Sequence, residues 1–493
     1  MHAHPETAFR DTDARAVQPE PTGLDPADWT ALRAEGRAML ETMFDFLEHG
    51  AERPVWRAPP QAVRARFREA LPLSPTRLAD CHATFVADIL PYASGNTHPG
   101  FMGWVQGGGT PVGMLAEMLA AGLNANLGGR DHMPIEVERQ VLAWVREMFD
   151  FPDTASGLFV TGTSQANFMA VVIARAKALS VQVRDRGLLD CATRLTAYTS
   201  NAAHGCVARA MDLAGLGSDH LRRVEVDADH RIDLGALRRR IQADREAGFT
   251  PFLIIGTAGS VDVGAIDDLD ALADIAAAET LSFHVDGALG ALAVLSPELA
   301  PLVSGIQRCD SLAFDFHKWG QVPYDAGFLL VRDGEQHRQT FAADAGYLTR
   351  ADRGLAAGDW WPCDYGMDLS RGFRALKTWL TLKTYGATAL GDSIAFTCAL
   401  ARQLAARIRQ EPELTLLAPV ALNIVCFSYG DGRHDPEIVA DLQVDGEVAP
   451  SLTRLDGRPA IRAAIVNHRT RAEHIDALIK GVLDRGRALS RGA

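Results

Sequence analysis

The 493-residue sequence has no apolar run long enough to cross a bilayer. Its longest candidates, MLAEMLAAGL and PFLIIG, fall short of the roughly 20 residues that a span needs. Cysteine is sparse. Cys81, Cys191, Cys206, Cys309, Cys363, Cys398 and Cys426 are scattered without a CxxC spacing, which argues against a zinc site and a disulfide framework and fits reduced thiols in a cytoplasm. Basic clusters are also missing: 62 acidic against 49 basic residues give a net charge of -13, so nucleic acid is not an expected partner. The opening stretch MHAHPETAFRDTDARAVQPEP has no signal-type apolar core, and residues 1–25 read as a flexible tail. There is no internal repeat. What remains is an ordinary globular composition, 47% hydrophobic and 23% charged, over a length that suits two or three structural units.

The chain divides by rhythm. Residues 26–91 form an expected helical arm: Trp29, Leu32, Met39, Leu40, Met43 and Leu47 recur at helical spacing up to Gly50, and QAVRARFREAL reads as a second helix. From 92 to 375 a glycine-rich segment and two long helices precede short apolar runs alternating with helices: GLFVTG, LTAYTS, PFLIIG, LSFHVD and SLAFDF. That alternation predicts an α/β unit with a mostly parallel sheet, in which ligands collect at the carboxyl ends of strands. Residues 376–493 read as a smaller α+β unit.

Four short motifs could carry chemistry. In TGTSQAN a strand ends and a helix begins at once, so free N–H groups and the hydroxyls of Thr163 and Ser164 could cradle a phosphate; simple helix capping is the competing reading. In FHVDGA, Asp286 ends a strand after His284 and could pair with a cationic ring nitrogen; a strand-end carboxylate or a His-x-Asp metal pair are the alternatives, and no third ligand at a recognisable spacing supports a metal. In DFHKWG, Lys318 closes a buried strand, where desolvation and neighbouring cationic groups would make its amine nucleophilic towards an aldehyde. His204 in NAAHGC follows another strand. Together with Thr257 in GTAGS these positions match what pyridoxal 5′-phosphate requires: a phosphate cradle, a ring to stack on, a phenolic oxygen and a ring nitrogen to bond, and an aldehyde to trap.

With HVDGA followed by FHKWG, and with SRGFRALKTW, NTHPGFMGW and LAEML elsewhere, the chain resembles the group II pyridoxal-phosphate-dependent decarboxylases over nearly its whole length after the tail. SRGFRALKTW brings it nearest to the aromatic-amino-acid branch. The resemblance implies an aspartate aminotransferase-like (fold type I) architecture, an obligate homodimer and pyridoxal 5′-phosphate as cofactor. It implies that Thr163, Ser164 and His317 bind phosphate, His204 stacks on the ring, Thr257, Asp286 and Ala288 contact it, and Lys318 forms the internal aldimine. The catalytic set it implies is Lys318, Asp286 and His204. The expected reaction is decarboxylation of an L-amino acid, aromatic by preference, to the amine.

One departure stands out. The family's loop tyrosine, counted back from Arg371, would fall near Pro362, where there is none; Tyr365 is the nearest substitute. Loss of that donor is associated with oxidative, aldehyde-forming chemistry, so an aromatic aldehyde synthase is the alternative, and an aminotransferase or cysteine desulfurase a more distant one. Trp104 and Phe101 are candidates for a side-chain pocket, and the segment Ala345 to Asp368 for a mobile lid.

Overall fold

The computed structural model describes residues 23–189, 191–343, 346 and 349–492. The tail expected over residues 1–25 falls mostly outside them. The first strand, β1 (Phe101–Met102), precedes a seven-stranded sheet built from β2 (Ser156–Val160), β3 (Leu195–Ser200), β4 (Leu221–Val224), β5 (Thr250–Thr257), β6 (Ser282–Asp286), β7 (Ser311–Asp315) and β8 (Gly327–Val331). Their order is β2-β8-β7-β6-β5-β3-β4. β4 to β7 run parallel with β3 among them, whereas β8 is antiparallel to both β7 and β2. Strands β2, β3, β6, β7 and β8 are buried along their full length, as continuous apolar runs covered on both faces should be.

Register sets up the site. Thr257 pairs with Asp286, and Asp286 with Ala313, so the carboxyl ends of β5, β6 and β7 finish side by side. Here the helix Thr163–Leu179 starts directly after the turn that follows β2. A core containing Phe149, Phe159, Phe283, Phe314, Phe316, Trp319 and Phe328 holds this end of the sheet in place.

The remaining strands, β9 (Leu414–Leu416), β10 (Ile424–Tyr429), β11 (Ala449–Leu455) and β12 (Arg458–Ala464), form a second sheet in the order β1-β11-β12-β10-β9. Its core joins Met102 to Leu400, Phe427, Ile461 and Ile475. β1 therefore pairs with a strand nearly 350 positions away, although the rhythm of the sequence assigned it to the large unit. The helical patterns LKTWLTLKTYG and IAFTCALARQLAARIRQ occupy one helix, Arg374–Gln410, broken by Gly386 at φ 80°. A left-handed φ is readily adopted only by glycine, which explains the break at this position.

The arm differs in detail from its expectation. Its first helix spans Trp29–Glu48, with the Asp28 carboxylate accepting from the Thr30 and Ala31 N–H groups. The second stops at Arg66, and a third runs from Leu78 to Thr84 and widens into a π-helical turn at Phe85–Ile89. Neither Trp29–Glu48 nor Leu78–Thr84 contains a buried residue. Their apolar faces are only partly covered: Leu32, Leu40, Met43 and Leu47 are half-buried, and His82 ties the two helices together through Thr42 and Glu35.

Candidate active site

Thr163, Ser164, His204, Thr257, Asp286, Ala288, His317 and Lys318 all line one cavity of about 380 Å3 at the carboxyl ends of the parallel strands. Lys318 lies three residues past the end of β7, and its Nζ is 2.9 Å from Asp315 Oδ2. The neighbour that accompanies the lysine is thus an anion, where sequence reasoning expected a cation. Asp315 Oδ1 in turn accepts the Thr163 N–H at 2.8 Å. Burial alone would raise the Asp315 pKa, but Lys318, His317 and these hydrogen bonds outweigh it and hold the carboxyl below its usual value.

His317 is buried, and its Nδ1 accepts the Ala326 N–H at 3.0 Å, so Nε2 carries the proton and is free to donate. Burial lowers its pKa and keeps the ring neutral. His204 lies in the turn before the helix Cys206–Leu213, oriented by the Cys206 N–H, which donates to Nδ1 at 3.2 Å. The glycine-rich segment closes against the lysine: the Gly107 N–H donates to His317 O, and a Cβ at Gly107 would come within 2.5 Å of Lys318 O.

Three features of the cavity fit pyridoxal 5′-phosphate. The hydroxyls of Thr163 and Thr257 are buried and have no hydrogen-bond partner, one at a helix N-terminus where a phosphate would sit and one at the end of β5. Asp286 is a buried carboxylate with no ion-pair partner among the described residues; burial pushes its pKa up against the opposing effect of Lys318, the Ala288 N–H, Asn167 and His204. A pyridinium would supply the missing cation. The His-x-Asp metal alternative loses its nitrogen ligand, because His284 bonds Ser311 and Asn167 on its two ring nitrogens.

Other expectations meet corrections. Trp104 lines the cavity, but Phe101 is buried in β1 and does not. Tyr365 packs on His337, with ring centroids 5.3 Å apart, and is not part of the cavity wall. The segment Ala345 to Asp368 is not wholly loose: Ala357, Trp361 and Pro362 are buried, while residues 345, 347 and 348 lie outside the described ones. Tyr347, which the count from Arg371 passed over, is among the latter.

Sequence reasoning also missed cavity residues. Asp315 was visible as the acid of DFHKWG. Tyr324, stacked on His317 at 4.3 Å between centroids, and Arg462 on β12 gave no local signal. Burial, with Asp315 nearby, pushes the Tyr324 pKa up to about 12.

A fold of this kind, with a lysine, an unpaired carboxylate and a hydroxyl-lined helix start at one sheet edge, defines a pyridoxal-phosphate enzyme. Comparison with known proteins then specifies the family. Residues 60–430 match the pyridoxal-dependent decarboxylase conserved domain, and the chain belongs to that family. It is 30% identical to an aromatic-L-amino-acid decarboxylase of Bacillus atrophaeus over 458 residues, 90% of this chain and 93% of that one. It is 26% identical to a phenylacetaldehyde synthase of Arabidopsis thaliana, covering 92% and 95% of the two chains. Among solved structures, Oryza sativa TDC with PLP and tryptamine superposes with a TM-score of 0.87 at 22% identity, covering 95% of this chain and all of that one. The protein is accordingly a pyridoxal-phosphate-dependent carboxy-lyase of fold type I acting on an amino acid. No helix among the described residues is long and apolar enough to cross a membrane.

Proposed function

We propose that the protein decarboxylates an aromatic L-amino acid to its amine. The observation that carries this reading is the convergence of Lys318, Asp286 and the two unpartnered threonine hydroxyls on one cavity whose walls include Trp104, Val105, Leu289 and Tyr324. Bound pyridoxal phosphate supplies an electron sink for the carbanion left when carbon dioxide departs. Thr163, Ser164 and His317 would hold the phosphate, and His204 would face the ring. Thr257 would bond the phenolic oxygen, Asp286 would keep the ring nitrogen protonated, and Ala288 would pack on the ring. Lys318, just past the cavity end of β7 and paired with Asp315, is the amine that would hold the aldehyde carbon.

Arg462 favours a decarboxylase over an aminotransferase. An aminotransferase grips the substrate carboxylate throughout, whereas here Nε, Nη1 and Nη2 of Arg462 each donate to Asp262 O, Ser451 Oγ or Val261 O. Each guanidinium nitrogen is thus already bonded to the protein and held in place by it, which disfavours a switch to gripping a substrate carboxylate. The aldehyde-forming alternative is supported by the likeness to aldehyde synthases.

A panel of L-amino acids incubated with protein and cofactor, followed for carbon dioxide, amine, aldehyde and hydrogen peroxide together, tests the reading. Amine equal to carbon dioxide without peroxide is expected from an aromatic substrate. Aldehyde with peroxide would replace decarboxylation by the oxidative reaction, and no carbon dioxide from any substrate would refute both.

The working unit we propose is a homodimer in the cytoplasm. The arm helices, which contain no fully buried residue, and the exposed Met118, Leu119 and Leu123 on the helix Pro111–Leu123 support the dimer, and seven free thiols support the compartment. Light scattering should give twice the chain mass, and Leu119→Glu with Leu123→Glu should shift it towards the monomer.

A further inference from the structure

Asp286 is the last member of a buried chain of polar groups. Asn167, one turn into the helix Thr163–Leu179 and 1% exposed, donates from Nδ2 to Asp286 Oδ2 at 2.9 Å. Its Oδ1 lies 2.8 Å from Nε2 of His284, a fully buried residue of β6. His284 Nδ1 lies 2.8 Å from Ser311 Oγ, at the start of β7, and 3.0 Å from Ser311 O.

Hydrogen-bond chemistry fixes the direction of this chain. An ionised carboxylate only accepts, so the Asn167 amide must turn its NH2 to Asp286 and its carbonyl to His284. His284 Nε2 therefore carries a proton. Complete burial pulls the His284 pKa down to about 4, against the pull of the Ser311 carbonyl, which leaves the ring neutral with its one proton on Nε2; of the two Ser311 oxygens beside Nδ1 only the hydroxyl can then donate to it. Ser311 donates to His284, His284 to Asn167, and Asn167 to Asp286. Every dipole points its positive end at the carboxylate, and bonds aligned in this way in a dry interior reinforce one another.

We infer that Asn167 is a positioning residue: through this one-way relay it aims the Asp286 carboxylate into the cavity and sets how firmly the cofactor's ring nitrogen is held protonated. The inference rests on Asp286 being the partner of that nitrogen. Asn167 does not line the cavity and reaches it through two neighbours that do, Asp286 and Cys206, of which only Asp286 carries a charge to aim. The other groups that act on Asp286 are Lys318, His204 and the Ala288 N–H, and the Cys206 thiol lies 3.2 Å from Asn167 Nδ2. None of them continues to Ser311. A hydrogen bond to a buried charged group is strong enough that its loss should raise the proton affinity of the Asp286 carboxylate about tenfold or more, drawing the proton shared with the ring nitrogen off the nitrogen and towards Asp286.

The test reconstitutes full-length protein with pyridoxal phosphate carrying 15N in its ring and follows the nitrogen resonance against pH. In Asn167→Ala the resonance at neutral pH should move towards that of an unprotonated pyridine, the proton having shifted to Asp286, while the cofactor stays bound. A resonance that titrates as in wild type, even with a lowered melting temperature, would reduce Asn167 to a packing residue and overturn the inference. If that variant does not fold, His284 decides: His284→Gln keeps an N–H at the Nε2 position and should retain the wild-type signal, whereas His284→Leu should shift it. Equal signals from the two would overturn the relay. Asp286→Ala separates the underlying assignment, because an unchanged resonance there would remove Asp286 from the nitrogen whatever Asn167 does.

Discussion

At the scale of single residues, three ionisable groups divide the work of the cavity. Lys318 and Asp315 neutralise each other, whereas Asp286 is left without an ionic partner. This asymmetry predicts distinct phenotypes. Lys318→Ala should lose the long-wavelength absorption of a lysine-bound cofactor together with all turnover. Asp286→Ala should still take up the cofactor but lose several orders of magnitude in rate, since a neutral ring nitrogen is a poor electron acceptor. Absorption titration and single-turnover carbon dioxide release check the pair, and near wild-type turnover of Asp286→Ala would refute its role. The lysine, the aspartate and the phosphate turn were legible because each closes a local apolar run. Asn167 was not, because its meaning depends on contacts with β6 and with Asp286, both more than 100 positions away.

Individual elements are tied together by interactions that a motif does not reveal. SRGFRALKTW pointed to a family, and the structure gives its first arginine a mechanical job. Arg371 is buried with Glu138, 2.5 Å away, and also donates to Leu127 O and Phe159 O, so it fastens the segment before the long helix to the helix Met133–Met148 and to β2. Removing one member of a buried pair strands the other charge, which costs about 3–5 kcal/mol, whereas replacing both with apolar residues is often tolerated. Arg371→Met should therefore be severely destabilised in urea, and Arg371→Met combined with Glu138→Leu should recover most of the loss. A double variant no better than the single would refute this account. The alternation of strands and helices was readable from the sequence. The assignment of β1 to the second sheet was not, because two residues carry no periodicity.

For the molecule as a whole, buried neutral histidines shape the response to acid. Burial pulls the pKa of His337 down to about 3, and that of His284 and His468 to about 4. A base whose folded pKa is depressed contributes its full stability above the unfolded value of 6.5, and that contribution is lost as pH falls towards the folded value. By about pH 5 each such histidine should cost about 2 kcal/mol. The melting temperature should drop steeply between about pH 7 and 5, and His337→Gln, remote from the cavity, should flatten that slope. An unchanged slope would mean that His337 is already charged in the folded protein.

The order of strands and helices, the lysine after β7, the acid at the end of β6 and the hydroxyl-bearing turn before the helix Thr163–Leu179 were set by the sequence itself, because each depends on neighbours a few positions away. Tertiary structure alone decided the anionic partner of Lys318, the removal of Tyr365 from the cavity, the entry of Tyr324 and Arg462, and the relay through Asn167. Those features depend on which side chains share a dry space. That sharing is fixed by the register of parallel strands and the packing of a helix across them, and neither leaves a periodic trace in the chain.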